Sequence, residues 1–394
     1  MLAGHLLPPS PTSGRLLSLD VFRGIVIAAM ILVTDPGTYA HTWHQLRHAE
    51  WNGATATDMI FPAFLFMVGL AIPFSIGSRA GLGTTTTSSA VRIVRRSIAL
   101  FLLGLGINGF PDYVWNTLRL PGILQRIAVC YALCGFLYLS VRERRQRDRT
   151  VVFVSVSVFL LACYWAMLKV IEVPGIGRGH LDPYGALPAV VDRAVFGANH
   201  LWQWGVRTNG KITYDPEGLL STLPALVPTL VGMIVGDRVR PFLGASPASI
   251  RTLWPKLLLL GAGLVVTGLA LSPWLPINKL IFTSTFSILS TGVSLGVFSL
   301  LYAWVDGYGL RRGITPALIL GTNAILAFAV SSIITTMFDR IHLSGLNLHA
   351  YLYQHFFAAW LPPTLGSHTY ALAIVLLNIG LLYPLYRRRI FLRL

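Results

Sequence analysis

The sequence predicts an all-α polytopic membrane bundle of about ten transmembrane helices plus one interfacial helix, with both termini cytoplasmic. Three observations lead there. Hydrophobic residues make up 54% of the 394 residues and charged ones 12%, with a mean hydropathy of +0.65, too little polar surface to cover a soluble globule of this size. Apolar runs recur at lengths able to cross a hydrocarbon core, which takes about 20 helical residues. The arginines gather in alternate loops, as cytoplasmic loops do.

Along the chain, MLAGHLLPPSPTSG is rich in Pro, Ser and Gly and lacks the early charged region of a signal peptide, so residues 1–15 read as a flexible tail and 16–394 as one transmembrane domain. The expected spans are 17–34, 57–77, 91–108, 120–140, 150–171, 217–236, 255–272, 280–304, 315–336 and 369–386. TTTTSS at 84–89 reads as a soft linker. LNLHAYLYQHFFAAWLP, 345–361, is apolar and aromatic but short and carries two histidines, so it is expected to lie at the outer interface. No internal repeat supports an inverted-repeat transporter. Cys130, Cys134 and Cys163 fall inside predicted helices and read as packing residues.

The orientation follows from the cations. Arg79, Arg92, Arg95 and Arg96, the run RERRQRDR at 142–149, Arg238, Arg240, Arg251, Lys256, Arg311, Arg312 and the tail YRRRIFLRL all fall on one side. The formal net charge of +16 is therefore topological. With arginines spread over several helix ends and no aromatic interleaving, nucleic-acid binding is not indicated.

Polar residues gather towards the opposite, outer side. Nine of the ten histidines lie in the outer loops. Asp58 opens the second helix, Gln125 and Arg126 lie just inside the fourth, Asp215 and Glu217 open the sixth, and Asn278 and Lys279 open the eighth. Intramembrane charges are costly and face a cavity or a partner. Each residue also has a plainer reading. Asp20 and Arg23, three apart in SLDVFRG, neutralise each other or serve a ligand; Arg126 snorkels or binds; Asp215 and Glu217 complement a helix N-terminus or line a site. Asn323, within the ninth helix beside a glycine, is expected to contact a ligand.

His41, His44 and His48 in HTWHQLRH are spaced to share one helical face, which permits zinc in principle, but no fourth ligand or cysteine accompanies them, so no metal is expected. His48 instead reads as a base, its imidazole oriented by the Asp58 carboxylate.

SLDVFRG, HAEWNGATATDMIFPAFLFMVG, LPGILQRIAVCY, YDPEGLLSTLPALVPTLVG, LPINKLIFTSTFSILSTG and GTNAILAF occur in the order found in the heparan-alpha-glucosaminide N-acetyltransferase family, which the chain resembles over about residues 16–394. The resemblance implies a compact bacterial member in the inner membrane, lacking the extra N-terminal segment of the lysosomal enzyme. It implies transfer of acetyl from cytosolic acetyl-CoA to a glucosamine-type amine on the far side, with His48, in the HAxWxG motif, as general base or acetyl carrier. Asp58 and Asn52 are the expected catalytic companions. Asp20, Arg23, Trp51, Gln125, Arg126, Asp215, Glu217, Asn278, Lys279 and Asn323 are the expected binding residues. Relatives also suggest a homodimer. Trp202, Trp204, Tyr184 and Tyr214 in the loop 172–216 offer stacking surfaces for a sugar or anchor the loop at the interface. The competing function is a proton-coupled secondary transporter of a small sugar, its intramembrane charges forming a relay.

Overall fold

The computed structural model describes residues 16–76, 85–208, 210–243 and 247–391. The expected tail at 1–15 and Arg79 lie outside them. Thirteen helices follow in order: α1 (Leu17–Thr34), α2 (Ile60–Ile76), α3 (Thr86–Gly109), α4 (Ile123–Val141), α5 (Gln146–Val170), α6 (Leu187–Phe196), α7 (Thr222–Val239), α8 (Pro247–Leu271), α9 (Ser284–Leu301), α10 (Thr315–Thr322), α11 (Ala324–Arg340), α12 (Leu348–Leu352) and α13 (Pro363–Arg387). Among the described residues three pairs of two-residue antiparallel strands, Glu172–Val173 with Gly177–Arg178, Arg207–Thr208 with Lys211–Ile212, and His342–Leu343 with Leu346–Asn347, decorate the loops.

This is a helical membrane bundle. Among the described residues eight helices are long and apolar enough to cross a bilayer, α1, α2, α4, α5, α7, α8, α9 and α13, and a ninth span is counted if α10 and α11 are taken together. The expected ten differ in two places. α3 forms and is 24 residues long, but its first three turns carry Thr86, Thr87, Ser88, Ser89, Arg92, Arg95 and Arg96, which hold its hydropathy down. The expected linker at 84–89 is accordingly helical from Thr86, with the Thr85 side chain accepting from Ser88 N–H at 3.2 Å.

The ninth expected helix is broken. α10 and α11 meet at 88°, and the break is Asn323 itself, at φ −127°, ψ 44°. An asparagine competes for backbone hydrogen bonds and leaves the helix readily. Its Nδ2 donates to Ile390 O at 3.1 Å in the C-terminal segment, so Asn323 lies towards the basic face.

Among the described residues, α2 with α7 and α1 with α10 approach with nothing but glycine between their backbones, and α8 with α9 does so at Gly261 and Gly292. A Cβ added at Gly69 of α2 would lie 1.9 Å from Thr229 O of α7, and one at Gly232 would lie 2.2 Å from Phe66 O. At α1 and α10 the corresponding distances are 1.7 Å from Gly24 to Ala317 O and 1.9 Å from Gly321 to Asp20 O. Small residues let membrane helices pack closely where no hydrophobic force drives them together. At the basic ends of α4, α5 and α7, Asp237 accepts from Tyr138 Oη at 2.8 Å and Arg149 Nε at 2.7 Å. α5 and α8 expose Phe159, Leu259 and Val266, the apolar outside of a bundle that meets lipid. Cys130 and Cys134 are buried free thiols in the packed interior, and Cys163 is a partly buried free thiol. The segment 348–358 is helical, α12 passing into a π-helical turn, and turns Phe356 and the following Trp360 outward.

Candidate active site

The loop ahead of α2 is built around one carboxylate. Asp58 sits in a 3-10 turn, Thr57–Met59, that leads into the helix and is only 1% exposed. Its Oδ2 accepts the N–H groups of Thr55 at 2.9 Å and Ala49 at 3.2 Å. Its Oδ1 lies 2.7 Å from His48 Nδ1. Thr55 Oγ1 reaches back to Arg47 O at 2.6 Å, and Gln45 Oε1 accepts Ala56 N–H at 3.0 Å. The chain therefore folds over Asp58, and His48 is held by the same group that holds its loop. A carboxylate on Nδ1 fixes the proton there and leaves Nε2 as the acceptor. The His48 ring is half exposed.

Lys279 closes the cluster from the segment ahead of α9. Its Nζ is 3.1 Å from His48 Nδ1, 3.4 Å from Nε2 and 3.8 Å from Asp58 Oδ1, so the ammonium lies against the imidazole and next to the carboxylate. Burial holds the Lys279 pKa below the ordinary lysine value, against the pull of Asp58 and Glu217.

Neighbouring Asn278 is fully buried, so it faces the scaffold. Gly53, at φ 103°, forms a parallel bridge with it, and Gly53 N–H donates to Ile277 O at 2.8 Å. Asn278 Oδ1 accepts Ile281 N–H at 3.1 Å, and Asn278 Nδ2 donates to Asn52 Oδ1 at 3.2 Å. Asn52 itself is exposed.

Trp51 turns away from this opening. Its Nε1 donates to Leu181 O at 2.7 Å and its ring packs edge-on against Tyr214, centroids 5.1 Å apart, with Trp202 on the same tyrosine at 6.3 Å. These three rings are a small core holding loop 172–216 to the site. Of the four loop aromatics read as stacking surfaces or interface anchors, Tyr214 is buried and Trp202 half-buried in this core, while Trp204 and Tyr184 are exposed.

Asp215 and Glu217 meet a partner that sequence reasoning missed. Arg119 donates through Nε to Asp215 Oδ2 at 2.8 Å, through Nη2 to Asp215 Oδ1 at 2.6 Å, and through Nη2 to Glu217 Oε2 at 2.5 Å. Burial pushes the Glu217 carboxyl up, but Arg119, Arg126 and Lys279 outweigh it and hold it below the ordinary value. No spacing signal joins residues about a hundred positions apart. Arg126, 2% exposed, pairs with no carboxylate at salt-bridge distance among the described residues; its Nη2 donates to Gly218 O at 2.7 Å and Ser221 Oγ at 2.5 Å, and Phe282 faces its guanidinium at 5.7 Å. Arg126 Nε and Nη1 and Gln125 Nε2 are buried without a hydrogen-bond partner among the described residues. Asp192 of α6, also missed, accepts Leu219 N–H at 2.8 Å, and burial raises its pKa to about 7.

Asp20, Arg23 and Asn323 are not part of this cluster. Asp20 and Arg23 pair at 3.4 Å at the basic end of a cavity of about 600 Å³. Arg96, over the Tyr131 ring at 4.8 Å, and Phe391 share that end, and Ile123 and Leu124 line the cavity beside Gln125 and Arg126. The cavity thus runs from the basic face towards the histidine side. His41 and His44 lie in separate 3-10 turns with extended residues between them, so the expected three-histidine face does not form. Among the described residues no group of three His, Cys, Asp or Glu is placed to hold a metal.

Fold and site together define a polytopic helical membrane protein with a carboxylate-held imidazole at one face and a cavity open towards the basic one. The chain is a distant homologue of the heparan-alpha-glucosaminide N-acetyltransferases. It is 27% identical over 363 residues to that enzyme of Mus musculus, covering 83% of this chain and 55% of the mouse protein. It is 29% identical over 363 residues to that of Homo sapiens, covering 82% and 52%. The chain spans about half the length of these curated relatives. A family model described as a domain of unknown function, DUF5009, matches residues 15–174.

Proposed function

We propose that this protein is a transmembrane acetyltransferase of the bacterial inner membrane that carries acetyl from cytosolic acetyl-CoA to the amine of a glucosamine-type sugar on the outer side. The observation that carries the reading is the His48–Asp58 pair at 2.7 Å, with Nε2 left as acceptor, placed across the bundle from a cavity whose other end holds Arg23 and Arg96.

The anionic nucleotide of the donor rests at that basic end, and its narrow thioester arm follows the cavity towards Gln125. His48 Nε2 takes a proton from the acceptor amine as its nitrogen bonds the acetyl carbon. The C–S bond then breaks, and the thiolate leaves towards the basic face and is protonated there. In the alternative course the same Nε2 takes the acetyl group first, with loss of the thiolate, and passes it to the amine. Asp58 stabilises the imidazolium in either course, and Lys279 supplies positive charge where the carbonyl oxygen becomes negative. Arg119 keeps Asp215 and Glu217 in place beside the acceptor. A homodimer is compatible with the exposed faces of α5 and α8.

Purified protein in nanodiscs, given radiolabelled acetyl-CoA and glucosamine, is expected to form N-acetylated sugar, and His48→Ala to lose that product while still binding CoA. Full product formation by His48→Ala overturns the role of His48. Sugar uptake driven by a proton gradient and indifferent to acetyl-CoA overturns the whole reading in favour of the transporter.

A further inference from the structure

We infer that Asn278 is a positioning residue that fixes which edge of the Asn52 amide faces the reacting carbonyl. The inference rests on the acetyltransferase reading, and its argument is one of donors and acceptors. Ile281 N–H can only donate, so the Asn278 atom 3.1 Å from it is the oxygen. Asn278 Nδ2 must then point the other way, where it donates to Asn52 at 3.2 Å, and the Asn52 atom it meets must be Oδ1. The two N–H bonds of Asn52 are left facing outward from an exposed side chain.

The surroundings make this orientation hard to reverse. Asn278 is wholly buried, its own N–H donates to Thr283 Oγ1 at 3.0 Å, and Thr283 Oγ1 reaches Pro276 O at 2.9 Å. The backbone bridge between Gly53 and Asn278 keeps the two loops in register. The next residue, Lys279, lies against His48, so the amide and the imidazole are set by adjacent positions of one rigid segment. An amide whose donor edge is fixed in advance can stabilise a tetrahedral oxyanion without reorganisation when charge develops. Asn278 does this without touching substrate.

The test is kinetic and uses the full chain in nanodiscs. In Asn278→Asp the carboxylate still accepts Ile281 N–H but can no longer donate, so Asn52 turns its NH2 inward and offers its oxygen to the carbonyl. We expect kcat to fall by about 10² with little change in KM for either substrate. In an Asn52→Ala background the same change is expected to cost nothing further, because the donor is already gone. A residual loss there overturns the inference, since an added charge beside Lys279 acts without Asn52. So does unchanged kcat in Asn278→Asp. Should that variant fail to fold, Asn52→Asp decides: it keeps the bond from Asn278 and presents only oxygen, so it must lose kcat as Asn52→Ala does or the inference falls. Absence of any transfer by the unsubstituted protein is a different result, and it removes the acetyltransferase reading itself.

Discussion

Asp58→Asn separates the two jobs that one carboxylate performs. The amide is nearly the same size and keeps an oxygen for the Thr55 and Ala49 N–H groups at 2.9 and 3.2 Å, so the loop still closes over it. Its NH2 then faces His48 Nδ1 where Oδ1 stood at 2.7 Å. A donor at that position forces the imidazole proton to Nε2, and the atom that should accept the amine proton becomes a donor. General-base catalysis is worth about 10²–10⁴, and the same tautomer error in hydrolytic triads costs about 10⁴. The expected result is a kcat lower by about 10²–10⁴ with KM little changed. Loss of the charge under Lys279, 3.8 Å away, also leaves a buried ammonium without its nearest anion. The assay is acetyl transfer from acetyl-CoA to glucosamine, run beside a thermal melt in detergent. A variant that melts like the parent and keeps full turnover would refute the reasoning, since Asp58 would then hold only the loop.

Other expectations follow from the same geometry. Arg119→Gln leaves the buried Asp215 and Glu217 without their cation; breaking such a pair costs about 3–5 kcal/mol, read as a lowered melting temperature. Glu217 is held below its ordinary value in the folded state, so the stability it contributes is present above the unfolded carboxylate pKa and is lost as pH falls through the folded one. Asp192 behaves oppositely. Its folded pKa is raised to about 7, so the folded protein holds a proton that the unfolded chain releases near 4, and stability falls as pH rises between those values. Melting curves of Asp192→Asn are expected to lack that slope, and an identical slope would assign it elsewhere. Gly69→Val places a side chain where Thr229 O already stands at 1.9 Å from the Cβ position, and is expected to cost at least about 1–3 kcal/mol, whereas Gly106→Ala, with open space around it, should melt as the parent does.

The bundle was legible because bilayer-length apolar runs and the arginine asymmetry are properties of composition along the chain. The His48–Asp58 pair was legible for a similar reason: ten residues separate them, and both flank the entry of one helix. What could not be read was what depends on folding at a distance. Arg119 finds Asp215 only after three intervening helices, α4, α5 and α6, have turned the chain back. Asn278, expected to bind ligand, is buried and hydrogen-bonded to Ile281, Thr283 and Asn52, partners that no spacing rule links to it. Trp51 likewise belongs to a packed trio with Tyr214 and Trp202. Asn323 looked like an intramembrane polar residue because a continuous helix was assumed, and the backbone breaks at that residue.

The glycine contacts between α2 and α7, and between α1 and α10, bear on how the molecule can breathe. Where backbone rests on backbone there is no side chain to compress or rotate, so each pair moves as a single stave. The cavity is walled by α1 and α10 on one side and α2 on another. Its bore can widen at the seams between staves, but neither α1 nor α2 can slide along its own partner. The helix that follows Asp58 therefore stays in step with α7, and any widening of the cavity falls to the walls that lack such a contact, α3, α4 and the break at Asn323.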